Sequence, residues 1–444
     1  MQTSFSLAQL ADPDIAEADR ILRACVHCGF CTATCPTYVL LGDENDSPRG
    51  RIYLIKEMLE RAEPARSEVV KHIDRCLSCL GCMTTCPSGV HYMHLVDHAR
   101  AHVEKTYRRP RVDRLVRSAL LRVMADPKLF RWALTAALLA KPFAPLFDLA
   151  GLRPLAAMLR LAPWRRPRGG PAMPGVFAAE GPRVGRVALL SGCVADALAP
   201  DINRAAIRVL TRHGFEVVLT RGEGCCGALA RHMGRENESH AAACRNIDAW
   251  SREIEAAGID AILTTASGCG TMMKDYGFML RHHPDHAGPA AKVAGMIYDI
   301  SEFVNEINGL KFVARPALKV AYHPACSLVH GQRVTSAPQE LLCKAGFVLK
   351  DIPESHLCCG SAGTYNMLQP ELANRLRDRK IANIDKVMPE MIAAGNIGCI
   401  TQIAAGTLIP VVHPIALIDW ATGGPVPKAL ERMGWSGTID DRSK

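Results

Sequence analysis

The sequence predicts a mixed α+β chain in which a helical N-terminal domain precedes two tandem α/β domains. Three observations predict this architecture: a cysteine cassette that occurs twice within residues 1–104, a basic stretch punctuated by proline after it, and a repeated strand–helix pattern from residue 183 onward. At 444 residues the chain is too long for one core. Its hydrophobic content of 48% is enough for several well-packed cores.

The two cassettes share one spacing and both end in Cys-Pro. The first is Cys25-x2-Cys28-x2-Cys31-x3-Cys35-Pro36, and the second is Cys76-x2-Cys79-x2-Cys82-x3-Cys86-Pro87. This spacing is typical of bacterial ferredoxins with two [4Fe–4S] clusters, in which the fourth cysteine of each run binds the other cluster. We therefore predict a ferredoxin-like domain over residues 1–104, with one cluster on Cys25, Cys28, Cys31 and Cys86 and the other on Cys76, Cys79, Cys82 and Cys35.

Zinc and disulfide bonds are the alternatives for these cysteines. Structural zinc usually takes two ligands from each of two separated knuckles, whereas each run here offers four thiols. Disulfides suit an oxidising compartment, and residues 1–24 lack the basic and apolar regions of an export signal. A cytoplasmic location is therefore expected. Between the cassettes, the turn signal Asp46–Arg51 and the apolar spacing of Ile52, Ile55 and Leu59 predict a helical insert.

Residues 105–182 are predicted to form a basic, proline-rich helical connector. Residues 105–168 contain fifteen lysines and arginines against three aspartates, although the whole chain carries only +9. The stretch lacks the aromatic interleaving of a nucleic-acid-binding module, so no nucleic-acid partner is expected. Phe130–Leu161 is strongly apolar, but Pro142 and Pro145 interrupt it before the roughly 20 residues of a membrane span. Packing on the chain itself or on a partner, and contact with a membrane surface, both remain open.

The C-terminal half is a tandem repeat. Arg186–Cys193 matches Lys319–Cys326 at an offset of 133 residues, and the same offset relates Cys225-Cys226-Gly227 to Cys358-Cys359-Gly360. Farther on, Ser267–Cys269 pairs with Ile397–Cys399. Short apolar strands alternate with helical patterns, which predicts two α/β cysteine-rich domains, residues 183–312 and 313–444, each with a largely parallel sheet.

Each repeat brings four cysteines to the ends of its predicted strands, the edge at which such sheets bind ligands. The first set is Cys193, Cys225, Cys226 and Cys269, and the second is Cys326, Cys358, Cys359 and Cys399. Either set could hold a further cluster or a metal ion, or could pack as reduced thiols. His323 and His356 lie near the second set and are candidate ligands or proton carriers, with ordinary hydrogen-bonded loop histidines as the alternative. Cys244 and Cys343, in helical patterns, are predicted core residues.

Four segments carry a resemblance to a known family. Ile21–Tyr38, Pro48–Lys56, Ala266–Gly270 and Ser355–Tyr365 resemble the iron–sulfur subunit of glycolate oxidase, and the likeness extends over nearly the whole chain. In that family, flavin-containing subunits oxidise glycolate to glyoxylate and the iron–sulfur subunit passes electrons toward the respiratory chain. The resemblance therefore implies FAD on partner subunits, no catalytic residue in this chain, and an acceptor such as quinone or attachment to the cytoplasmic face of the inner membrane.

Two further functions remain open at this point. The same electron-transfer role fits a lactate, another 2-hydroxy-acid or a glycerol-3-phosphate dehydrogenase. The repeats also resemble the cysteine-rich (CCG) domains of heterodisulfide reductase, which implies a thiol–disulfide enzyme. In that family a C-x-x-C pair completes the cysteine set, but here Ala266 and Asn396 occupy the first position of that pair. This departure speaks against the disulfide reductase.

Overall fold

The computed structural model describes residues 1–149, 152–163, 172–313 and 317–431. The N-terminal part is helical, as predicted. Its helices are α1 Leu7–Leu10, α2 Pro13–Ala24, α3 Pro36–Leu41, α4 Pro48–Arg61, α5 Ser67–Asp74, α6 Gly81–Thr85 and α7 Tyr92–Thr106. They enclose a small core that includes Leu22, Ile55, Ile73 and Leu95, each fully buried.

Helices α4 and α5 form the insert between the two cassettes, as the turn signal indicated. Ser47 caps α4, because its hydroxyl accepts a hydrogen bond from the Gly50 amide, and Pro48 occupies the first turn, where no amide donor is needed. The apolar positions Ile52, Ile55 and Leu59 face the core. The insert therefore fixes the separation of the two cassettes.

The connector continues as α8 Arg111–Ala125, α9 Pro127–Ala140, α10 Ala144–Leu149 and α11 Arg153–Leu161. Part of its positive charge is paired within the protein: Arg109 and Arg117 both pair with Asp74, at 2.7 and 2.9 Å. Its last part differs from the helical expectation. Residues Gly175–Phe177 form strand β1, because they pair antiparallel with the outer strand of the first repeat.

The first repeat comprises β2 Gly185–Leu189, α12 Val194–Leu198, α13 Pro200–Arg212, β3 Phe215–Leu219, α14 Ala228–His232, α15 Glu236–Ala257, β4 Ala261–Thr264, α16 Ser267–Lys274, α17 Tyr276–Met279, α18 Ala287–Ala294, β5 Ile297–Asp299 and α19 Ile300–Glu306. The second comprises β6 Lys319–His323, a π-helical turn at Ser327–Gly331, α20 Ala337–Lys344, β7 Val348–Lys350, α21 Tyr365–Leu368, α22 Pro370–Asp385, β8 Met391–Ala394, α23 Ile397–Ala404, β9 Val411–Val412, α24 Pro414–Ala421 and α25 Lys428–Glu431.

The two sheets have the same topology. The strand order is β1-β3-β2-β4-β5 in the first sheet and β7-β6-β8-β9 in the second. All pairs are parallel except that of β1 with β3, which confirms the predicted α/β character. Strands β2, β3, β4 and β5 thus correspond to β6, β7, β8 and β9. The carboxyl ends of corresponding strands carry the cysteines.

The repeats pack against each other through one continuous hydrophobic core, to which Val187 and Leu263 of the first repeat and Val320 and Trp420 of the second contribute. A buried carboxylate strengthens this interface: Asp419 accepts hydrogen bonds from Arg208 and Arg212. In the part of the chain that the structure describes, we find no helix that is both long and apolar enough to cross a membrane.

Candidate metal centres

The first cassette lines a cavity together with the last cysteine of the second. Cys25, Cys28, Cys31 and Cys86 face this cavity, and Cys82 borders it as well. Pro48, Ile52 and Val90 complete an apolar wall. The structure therefore brings together the four cysteines that were predicted for the first cluster.

A second cavity lies beside the first. Cys35, Cys76, Cys79 and Cys82 line it, with Thr37, Arg51 and Tyr92. Each cassette thus sends its fourth cysteine to the cavity of the other, and Cys82 borders both cavities. Which cluster each sulfur binds stays a prediction.

The two cassettes fold with the same unusual backbone. The residue before the second cysteine is left-handed in both runs, with φ of 55° at His27 and 50° at Ser78. The residue after it is left-handed too, with φ of 88° at Gly29 and 62° at Leu80. This conformation is strained for residues other than glycine, and proteins tolerate such strain mainly at functional sites. The strain is consistent with a chain that wraps around a bound group.

Hydrogen-bond donors surround the cysteines of the second cavity. Arg51 Nη1 donates to the Cys35 sulfur at 3.8 Å, and the Thr37 hydroxyl, which donates to the Asp46 carbonyl, lies 3.3 Å from the same sulfur. The Tyr92 hydroxyl donates to Cys76 Sγ at 3.8 Å, and the Ser78 amide donates to it at 3.5 Å. Such donors stabilise negative charge on sulfur, and in iron–sulfur proteins they help to set the reduction potential.

A buried ion network supports this site. Asp46 is fully buried and accepts hydrogen bonds from Arg51 at 3.1 Å and from Arg75 at 2.8 Å, while His72 Nδ1 lies 3.0 Å from it. Arg51 is only 1% exposed and also donates to the backbone oxygen of His72. The network therefore joins the insert, α5 and the start of the second cassette.

The donor chemistry of the two cavities fits iron–sulfur clusters. The four thiols predicted for each cluster line one cavity, and the remaining lining is largely apolar or donates hydrogen bonds to sulfur. Burial raises the pKa of the Cys31 thiol to about 11 and that of the Cys82 thiol well above its usual value. Iron bound in the cavities would replace the protons of these thiols.

The cysteines of the first repeat also lie together. Cys193 Sγ lies 3.6 Å from Cys225 Sγ, at the ends of β2 and β3. This sulfur–sulfur hydrogen bond raises the pKa of Cys193 and lowers that of Cys225. Cys226 is buried in the adjoining core, and Cys269 packs against that core. His283, His286 and Cys244 form a separate half-buried group on the outside of this repeat.

In the second repeat the cysteines gather around a histidine. Cys326 Sγ lies 3.7 Å from Cys358 Sγ. The ligand atoms of Cys359, Cys399 and His323 all lie within 4.8 Å of one another, and all three residues are buried. His356, the other histidine candidate, is exposed and does not join this group.

The second repeat also covers the second cassette. Cys326 and Cys358 share a hydrophobic cluster with Leu77 and Cys79. Next to them, the hydroxyl of Thr84 and Nδ1 of His330 form a 2.7 Å hydrogen bond. The second quartet therefore lies next to the second cavity.

A large apolar cavity separates the connector helices from the second repeat. Its volume is about 380 Å³. Leu134, Ala137 and Met158 line one side, and Ser361, Gly363 and Gly398 line the other. Ser361 and Gly363 lie within four residues after the Cys358–Cys359 pair, and Gly398 directly precedes Cys399. The cavity is large enough for an organic ligand.

Several of these features escaped sequence reasoning. Arg51 lies within a motif that the sequence singled out, but nothing in one sequence shows that a charged residue is buried with Asp46. The apolar cavity depends on how the connector docks, which periodicity does not reveal. Cys343 was expected in the core and is exposed on α20, so that prediction is wrong, while Cys244 is half-buried.

Comparison with known proteins follows the same division of the chain. Residues 21–90 match the family "4Fe-4S dicluster domain", and residues 187–274 and 320–404 each match the family "Cysteine-rich domain". The glycolate oxidase iron-sulfur subunit of Escherichia coli is 42% identical over 421 residues, which is 95% of this chain and 99% of the relative. This chain belongs to the glycolate oxidase iron–sulfur subunit family.

Other relatives extend this family assignment. A probable glycolate oxidase iron-sulfur subunit of Bacillus subtilis is 29% identical over 87% of this chain and 89% of its own length. Lactate utilization protein A of Oceanobacillus iheyensis is 26% identical, over 53% of this chain and 96% of its own length. A solved hypothetical protein from Helicobacter pylori has a TM-score of 0.53 at 10% identity, covering 95% of this chain and 74% of that one, and so shares the fold alone.

Proposed function

We propose that this chain is the iron–sulfur electron-transfer subunit of a flavin-dependent glycolate dehydrogenase, which oxidises glycolate to glyoxylate. The observation that carries the proposal is the pair of adjoining four-thiol cavities in a member of the glycolate oxidase iron–sulfur subunit family. When bound there, two [4Fe–4S] clusters supply one-electron oxidation and reduction. The flavin that accepts two electrons from the hydroxy acid belongs to partner subunits.

Different residues of the chain would bind the clusters, donate hydrogen bonds to their sulfur ligands and cover them. Cys25, Cys28, Cys31 and Cys86 would hold one cluster, and Cys35, Cys76, Cys79 and Cys82 the other. Arg51 and Tyr92 donate hydrogen bonds to the sulfurs of the second site and stabilise their negative charge. The cover formed by Cys326 and Cys358 with Leu77 keeps water from that side of the second cavity.

Reduction by glycolate is expected only in the assembled complex. We expect the purified complex, mixed anaerobically with glycolate, to show bleaching of the iron–sulfur absorbance. The isolated chain, with about eight iron and eight sulfide, should show none, because it offers no flavin to take up a hydride. Stopped-flow absorbance measures both. Bleaching of the isolated chain by glycolate would contradict the proposal.

The lactate alternative rests on a specific finding, the likeness to lactate utilization protein A over about half of this chain. Electron transfer through the chain is the same in both functions, and only the donor differs. The same experiment with lactate in place of glycolate separates them. Faster bleaching by lactate than by glycolate would favour the alternative.

We further propose that the electrons leave to a membrane quinone at the cytoplasmic face of the inner membrane. The apolar cavity of about 380 Å³ beside the second quartet supports this, because a quinone ring needs an apolar site close to the electron donor. Trp132 and Leu139 of α9 are 75% and 78% exposed near this cavity, and exposed Arg114 and Arg122 of α8 complement anionic lipid.

Filling this cavity should block the quinone selectively. Ala137→Trp places an indole in the cavity, so we expect at least a tenfold loss of quinone reduction by the complex, while reduction of a soluble dye is retained. Ala256→Trp is the matched control, because Ala256 is an exposed alanine of another helix, α15, and does not line the cavity. Steady-state assays with a short-chain quinone in lipid vesicles measure the effect. Equal quinone reduction by both variants would contradict the proposed site.

A further inference from the structure

His323 is an unpartnered polar side chain in the protein core. It ends strand β6, is 1% exposed, and neither ring nitrogen has a hydrogen-bond partner. An unmade hydrogen bond at a buried polar atom costs about 1–3 kcal/mol, so two such atoms on one ring need a physical reason. A histidine retained for packing would normally bond at least one nitrogen to the backbone, as His413 does with the Thr265 carbonyl at 2.9 Å.

The reason lies in the two sulfurs beside the ring. A ring nitrogen of His323 and the sulfurs of Cys359 and Cys399 all lie within 4.8 Å of one another. They come from three different segments: the end of β6, the Cys-Cys-Gly turn after β7, and the first turn of α23. Parallel sheets bring these strand ends together at one edge, which is where they bind ligands.

The spacing favours a single ion. A tetrahedral zinc ion with bonds of about 2.3 Å to sulfur and 2.0–2.1 Å to nitrogen holds two sulfurs about 3.8 Å apart and a sulfur and a nitrogen about 3.6 Å apart. The ligand atoms of His323, Cys359 and Cys399 lie within 4.8 Å of one another, which is compatible with such separations. A four-iron cube interposes iron and sulfide between its thiolates and keeps them farther apart.

Polar and charged groups lie close to the sulfurs of this site. Asn396 Nδ2 donates a hydrogen bond to Cys399 Sγ at 3.7 Å. Lys380 is 2% exposed and anchored by the carbonyls of Glu354 and Ser355, so its positive charge lies close to the sulfurs. Neutral imidazole and thiolate are the forms that bind zinc.

We propose that His323, Cys359 and Cys399 bind one zinc ion in the second repeat. Cys358 directly precedes Cys359 in the chain, and its sulfur lies 3.7 Å from that of Cys326. The ion joins three segments of the second repeat, and Cys358 and Cys326 of this region cover the second cassette. The site therefore has a structural role, distinct from both cluster cavities, and the proposal is independent of the identity of the electron donor.

The first repeat provides an internal comparison. At the offset of 133 residues, Leu190 occupies the position of His323 and Cys226 matches Cys359, while Cys269 matches Cys399 at an offset of 130 residues. The first repeat thus retains the two thiols and lacks the imidazole. We expect the zinc site to be confined to the second repeat.

The test is the zinc content of the full-length chain, purified anaerobically and measured by mass spectrometry together with iron. We expect one zinc per chain in addition to the iron of the two clusters. His323→Leu, which installs the residue of the first repeat, should weaken zinc binding at least tenfold in competition with a chromophoric chelator. Cys226→Ser, the first-repeat counterpart of Cys359→Ser, should leave zinc unchanged.

A second readout reports the ligands directly. Co²⁺ loaded in place of zinc should give the absorption of a tetrahedral thiolate site in the wild-type chain and lose it in His323→Leu and in Cys399→Ala. Iron content and circular dichroism establish that both variants are folded. A wild-type chain without zinc or Co²⁺ binding, unchanged zinc in folded His323→Leu, or extra iron and sulfide in place of zinc would each overturn the proposal.

Discussion

Exchanging the fourth cysteine of a cassette is expected to remove the cluster of the other cassette. In Cys86→Ser the cluster on Cys25, Cys28 and Cys31 should be lost, and in Cys35→Ser the cluster on Cys76, Cys79 and Cys82. The reason is that Cys86 lines the cavity of the first cassette, whereas Cys35 lines that of the second. Each variant should retain about half of the iron, because a cube with three thiolates is poorly held.

Electron paramagnetic resonance of the reduced variants assigns the lost cluster, since the environments of the two differ. Arg51 and Thr37 lie at the second cavity, so an additional conservative change, Thr37→Val, should shift only the signal that survives in Cys86→Ser. Cys343→Ser is the control, because that cysteine is exposed and remote from both cassettes in sequence. If Cys86→Ser instead lost the cluster on Cys76, Cys79 and Cys82, or Cys35→Ser the cluster on Cys25, Cys28 and Cys31, the assignment would be wrong.

Asp46→Asn is expected to destabilise the N-terminal domain severely. The substitution keeps the shape of the side chain and removes the charge that balances Arg51 and Arg75. Breaking a buried ion pair by removing one partner costs about 3–5 kcal/mol, a large part of the stability of a small domain. Because Arg51 also donates to Cys35, we expect loss of the second cluster as well as a lower midpoint of unfolding.

Glu57→Gln is the matched control for this variant. Glu57 and Arg61 form an ion pair on the surface of α4, with side chains 39% and 47% exposed, and such pairs contribute at most about 1 kcal/mol. We would measure the thermal unfolding of both variants under anaerobic conditions and their iron content in parallel. The comparison is between a buried and an exposed ion pair of the same N-terminal domain. Similar unfolding midpoints for both variants would contradict the role assigned to Asp46.

The sequence predicted those features that depend on spacing along the chain. The cassettes, the helical insert and the two α/β repeats all follow from short-range patterns, and the structure has each of them. Features that depend on how distant segments meet were not predictable in this way. The ring of His323 could be named as a candidate ligand, but its lack of any hydrogen bond appears only when β6, β7 and β8 are assembled.

The edge strand β1 illustrates the same limit. Nothing in Gly175–Phe177 distinguishes a strand from the end of a proline-rich connector, and it becomes a strand because β3 offers an open edge. Similarly, the +12 charge of residues 105–168 suggested a basic surface, but Arg109 and Arg117 are paired with Asp74 inside the protein. Net charge describes composition and does not locate the partners of each charge.

The cover over the second cassette has a consequence for biosynthesis. Thr84 and His330, which join the two parts, are 246 residues apart, so the ribosome completes the cassette long before the segment that closes over it. Iron and sulfide can therefore reach Cys79 while the C-terminal half is still being synthesised or has not yet docked. Cluster insertion at the second site should therefore be fastest during translation, and slower in a full-length apoprotein that has already folded.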